Sequence, residues 1–113
     1  FPIENDSPGD FQFKGERILI FGGDRIGSEY ERVLARHNLL VSWHSGFENL
    51  HDLKNGLGKA DAVVIVVRQI SHTLLREIVP VAEKEKIPLI YSTRRGTSGV
   101  LSHLLDFFKG QSS

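Results

Sequence analysis

The chain has 113 residues, 40% hydrophobic and 25% charged, which suits one globular domain and leaves no room for a second core. Its 14 basic and 14 acidic side chains balance, so it lacks the basic surplus typical of a nucleic-acid binder. Cysteine is absent, which excludes disulfides and thiolate metal sites, and no apolar run approaches the ~18 residues of a membrane span; a cytoplasmic setting is expected.

Residues 1–15 carry Pro2, Pro8, Gly9 and Gly15 among acidic and polar groups and read as a linker. Methionine is missing even at position 1, which predicts a fragment or processed chain with an upstream partner domain. The folded domain is expected over 16–110, with 111–113 as a tail. Arg17 to Phe21 is an apolar, β-branched run stopped by Gly22-Gly23, the pattern of a buried strand and a turn. Ser28 opens a helix with Glu31 as its capping-box partner, Tyr30, Val33 and Leu34 inward and Asn38 as a stop. Leu39 to His44 is the second strand. Asn49 can cap a short helix bearing Leu50, Leu53 and Leu57, weakened by Gly56 and Gly58.

The run Ala62-Val63-Val64-Ile65-Val66-Val67 is the clearest strand and belongs at the centre of a parallel sheet. Ser71 caps the next helix, with Leu74, Leu75, Ile78 and Ala82 inward and a kink expected at Pro80. Leu89 to Ser92 is the fourth strand. Thr97 or Ser98 starts the last helix, which carries Leu101, Leu104, Leu105 and Phe108 inward and ends at Gly110. Strands alternating with helices predict a three-layer α/β fold of Rossmann or flavodoxin type. Its four-stranded parallel sheet should have the order 2-1-3-4, flanked by helices.

In such sheets ligands bind beyond the carboxyl ends of the strands. Four segments meet there: Gly22-Gly23-Asp24-Arg25-Ile26-Gly27, His44-Ser45-Gly46, Arg68-Gln69-Ile70-Ser71-His72 and Ser92-Thr93-Arg94-Arg95-Gly96-Thr97-Ser98. Four arginines, two histidines and several hydroxyls converge beside helix amino termini, whose free N–H groups favour anions. Arginine grips carboxylate or phosphate through two parallel hydrogen bonds. The ligand-binding candidates are therefore Gly22, Gly23, Asp24, Arg25, His44, Ser71, His72, Arg94, Arg95, Thr97 and Ser98. Several have a plainer reading: the glycines permit a turn, Ser71 caps a helix and Arg25 is solvated.

Sharper motifs fail. Asp24 stands where a dinucleotide fingerprint needs its middle glycine, and His44 where that fold places a ribose-binding acid. Arg68 occupies the position at which a phospho-receiver domain carries its aspartate. No phosphate-binding loop ending in Lys-Ser or Lys-Thr occurs, and Ser71, His72 and Asp24 lack a nucleophile elbow.

Taken together, the residues Gly22 to Gly27, His44-Ser45-Gly46, Ser71-His72 and Arg94 to Ser98 resemble a bacterial domain-of-unknown-function family, number twenty-three twenty-five. The similarity covers about 16–109. It implies a small Rossmann-like domain, found alone or after longer amino-terminal regions, without specifying an activity. It also brings haem into view as a cofactor. His72 or His44 would be the axial ligand and the arginines would meet the propionates, but the apolar slot would need a dimer interface.

The reading that results is a non-enzymatic binding or sensing module for an anionic small molecule, a phosphate-bearing metabolite or nucleotide. Arg25, Arg94 and Arg95 would hold the charge. Alternatives are a haem protein, a phosphoester-processing enzyme with His72 or His44 as acid or base and Asp24 as orienter, and a nucleic-acid-binding module. A homodimer is a further expectation, from Phe107 beside the inward Phe108 and from the edge strands of a small open sheet.

Overall fold

A computed structural model describes residues 12–22, 27–46, 59–67, 70–93 and 96–112. The four strands are β1 (Arg17–Phe21), β2 (Leu40–His44), β3 (Ala62–Val66) and β4 (Leu89–Ser92), and the described helices are α1 (Gly27–Ala35), α2 (His72–Glu85) and α3 (Thr97–Ser112). All pairings are parallel and the order is β2-β1-β3-β4, as the alternation of elements predicts. The helix expected around Leu50, Leu53 and Leu57 lies outside the described residues.

Burial explains the order. Every residue of β3 is buried, which requires cover on both faces and neighbours on both sides. The pleat divides the core in two. Ile18, Ile20, Ala62, Val64, Val66 and Ile90 pack with Tyr30 and Leu34 of α1 and with Val100, Leu104 and Phe108 of α3. On the other face Leu19, Phe21, Val63 and Ile65 meet Leu74, Ile78 and Ala82 of α2. Each fully buried aliphatic or aromatic side chain is worth about 1.5–3 kcal/mol against exposure. The sheet is therefore the stable frame on which the strand ends are held.

Several boundaries differ from expectation for local reasons. Phe13, in the segment read as a linker, is a core residue that meets Phe108 edge-on at 5.9 Å. Asn38 holds it there: its Nδ2 donates to the Phe13 carbonyl at 2.7 Å, and its own carbonyl accepts from the Gly15 N–H at 2.9 Å. Asn38 sits in the left-handed region at φ 64°, where asparagine is tolerated, and it ends the turn after α1. Helix α1 starts at Gly27, so Ser28 lies inside it, and the Glu31 carboxylate accepts from the Trp43 N–H of β2 at 3.0 Å. The capping-box reading gives way to a cross-element contact. Helix α2 continues through Pro80 to Glu85, and α3 runs past Gly110 to Ser112.

Candidate functional site

Parallel strands place all four carboxyl ends on one edge of the sheet. The chain leaves β1 for the outer strand β2 and leaves β3 for the opposite outer strand β4. Adjacent strands thus send their connections apart, and a crevice opens between the ends of β1 and β3.

The β1 side of this crevice is rigidly tied. Gly22 is buried at φ 99°, a conformation open to glycine and costing other residues roughly 1–2 kcal/mol. Its N–H donates to the His44 carbonyl at 3.0 Å, and its carbonyl accepts from the Trp43 indole at 2.7 Å. Trp43 and His44 point to opposite faces of β2, as their adjacency requires. On the face away from the indole, the His44 ring stacks on Phe21 with centroids 5.3 Å apart. Beyond β2, the Gly46 carbonyl accepts from the Ser71 N–H at 2.7 Å, joining the connections that follow β2 and β3.

The helix starts on this edge differ. At α2 the Ser71 hydroxyl accepts from the Leu74 N–H at 3.1 Å, so this terminus is closed by its own cap. At α3 the Val100 N–H donates to the Gly96 carbonyl at 3.1 Å, which makes Gly96 the capping residue. Glycine offers no side-chain acceptor, and the first turn holds no acid. A Cβ added at Gly96 would meet nothing within 4 Å. Among the described residues, α3 alone therefore starts with a side-chain-free cap and no first-turn carboxylate, since α1 carries Glu29 there.

Of the candidates from sequence, Gly22 and His44 are brought together at the β1–β2 end. Ser71 is engaged as a helix cap, and His72 is exposed at the first position of α2. Thr97 is half-buried and Ser98 exposed at the start of α3. Gly23, Asp24, Arg25, Arg94 and Arg95 lie outside the described residues, as does Arg68. Two features were not singled out in the sequence: Gly96 as the cap, for which a glycine directly before Thr97-Ser98 is the signal, and a groove beside β2. That groove has a volume of about 530 Å³, and its lining includes Arg17, Leu19, Leu40, Ser42, His44 and Lys59. The exposed Leu40, on this outer strand of the sheet, marks it.

The family model described as "Uncharacterized protein conserved in bacteria (DUF2325)" matches residues 17–106. The chain belongs to this family. The match begins at the first residue of β1 and ends within α3, so it takes in every strand of the sheet and the strand-end connections. Phe13 precedes it. No curated protein and no solved structure matches the chain. Among the described residues, no helix is long and apolar enough to cross a membrane and no group of histidines and acids is arranged to hold a metal ion.

Proposed function

We propose that this DUF2325 domain is a cytoplasmic, non-enzymatic binding or sensing module for an anionic small molecule, a phosphate-bearing metabolite or nucleotide. The observation that carries the reading is the start of α3, where Gly96 leaves the first-turn N–H groups without a capping side chain or an acid. An anion there gains both hydrogen bonds and the favourable end of the helix dipole. The two residues before Gly96 in sequence are Arg94 and Arg95, and Arg25 follows β1 in sequence. These supply charge, while the Thr97 and Ser98 hydroxyls supply further donors and the tied Gly22–His44 end forms a fixed wall. Arg94→Ala or Arg25→Ala is expected to weaken binding by about 1–3 kcal/mol, the scale of a hydrogen bond to a charged group, with unchanged melting of the free protein. Thermal shifts with inorganic phosphate and a nucleoside monophosphate test this; equal shifts in wild type and both variants count against it.

Haem is a second reading, favoured by the position of His44 on the apolar groove beside β2 with Arg17 and Lys59 on the same lining. His44 would be the axial ligand and the two cations would meet the propionates; a bound haem would supply redox or gas-binding chemistry. His72, exposed at the start of α2, fits that role poorly. An absorption spectrum of the purified protein decides: an intense haem band that His44→Ala removes supports it, and its absence after haem addition rejects it.

A further inference from the structure

We infer that the free edge of β2 is a docking surface for a second copy of this chain, joined in antiparallel fashion about a two-fold axis at Val41. The argument begins with backbone direction. Leu40 donates its N–H to the Glu16 carbonyl, and the His44 carbonyl accepts from Gly22, so residues 40, 42 and 44 face β1. Val41 and Trp43 consequently present their N–H and C=O groups outward. The Trp43 N–H is taken by the Glu31 carboxylate at 3.0 Å, which blunts that end of the edge. Among the described residues nothing takes the Val41 N–H or C=O, which leaves both groups to a partner. A pair of Val41 residues related by a two-fold axis exchanges two hydrogen bonds and leaves the bond from the Trp43 N–H to Glu31 in place.

This register is self-complementary in shape. Opposing residues in an antiparallel pair share a face, so Leu40 of one copy lies against Ser42 of the other, between that copy's Leu40 and His44. These are residues of the groove of about 530 Å³. Leu40 is 56% exposed, the largest exposure among the large apolar side chains described, and pairing would bury it in its symmetry mate's groove. Charge agrees as well. Helix α1 runs beside the edge with Glu31 level with Trp43, and Ala35 beyond it on the same groove lining. The two-fold axis sets the small, exposed Ala35 near its counterpart and brings Glu31 of one copy toward Arg36 of the other. Acid thus meets base twice.

Sedimentation equilibrium of the full chain over a range of concentrations tests the proposal. A dimer is expected. Val41→Pro deletes the outward N–H without touching the β1–β2 ladder, since proline is tolerated on edge strands, and is expected to give a monomer with an unchanged far-ultraviolet spectrum. Should that variant unfold, Arg36→Glu serves instead: it sets two acids against each other and should raise the dimer dissociation constant by about tenfold or more. A wild-type monomer at the highest concentrations overturns the proposal. So does a dimer that survives Arg36→Glu unchanged, or a groove filled by haem that His44→Ala empties.

Discussion

Replacing Gly96 by aspartate separates the stability of the domain from its proposed binding activity. The start of α3 lacks a side-chain cap, and an added side chain at position 96 meets no atom within 4 Å. Aspartate is among the best capping residues, exceeding glycine by a few tenths of a kcal/mol. Its charge adds about 0.3–1 kcal/mol against the helix dipole. The variant should therefore be more stable by about 0.5–1.3 kcal/mol, a rise in Tm of roughly 2–6 °C for a domain of this size. The same carboxylate occupies the N–H groups an anionic ligand would use and repels its charge. In wild type a ligand at a hundred times its Kd adds ~2.7 kcal/mol of stability. In the variant that increment should largely vanish. Melting curves with and without phosphate or nucleotide read both effects in one experiment. A variant that melts lower than wild type refutes the capping geometry, and one that keeps the full ligand-induced shift refutes the site.

Two further substitutions probe the core. Phe13→Ala removes a ring that is 5% exposed and packed against Phe108, so urea unfolding should show a loss of about 3 kcal/mol, the low end for buried phenylalanine because the segment leads into the fold from one side. A loss below ~1 kcal/mol would mean that residues before β1 contribute nothing to the core. His103→Leu addresses the opposite case: the Nε2 of His103 is buried on α3 with no hydrogen-bond partner among the described residues. Removing an unsatisfied polar atom relieves a cost of about 1–3 kcal/mol, so the variant should melt at or above the wild-type temperature, and a clear drop would show that the imidazole has a partner.

The sheet was legible because its signals are local and mutually consistent. A continuous apolar run such as Ala62 to Val66 has one comfortable environment, and glycine or polar punctuation separates it from the helices. The order 2-1-3-4 then follows from the connection rules for parallel strands. What escaped notice depends on contacts distant in sequence. Phe13 looked like part of a linker because Asn38 and Phe108, which it contacts, lie 25 and more residues away. Glu31 looked like a capping residue because its actual partner, the Trp43 N–H, exists only once β2 lies beside α1. The candidate site was partly legible for the same reason. Residue types in the four connections name a chemistry, but which helix start is open is a matter of geometry. Ser71 and Gly96 both precede helices; only the first carries an oxygen to close its own turn.

A net charge of zero does not weigh against an anion site, because the charges are not evenly placed along the chain. The connections that follow β1, β3 and β4, 22–26, 67–71 and 93–96, contain Arg25, Arg68, Arg94 and Arg95 against the one acid Asp24, whereas the longer connection after β2, 45–61, carries Lys54 and Lys59 with Glu48, Asp52 and Asp61. Three of the acids are engaged away from these three connections. Glu31 is bound to the edge of β2, Asp61 accepts from the Arg17 N–H at the opposite end of β1, and Glu29 pairs with Arg32 on the surface of α1. On the proposed reading, an anion bound beside these three connections would meet more basic than acidic residues, although the chain as a whole has no net charge. On the proposed reading, selectivity for a small anion over nucleic acid would follow from that contrast: long-range attraction scales with net charge and is screened beyond about 8–10 Å at physiological salt, whereas guanidinium and helix N–H groups act at contact.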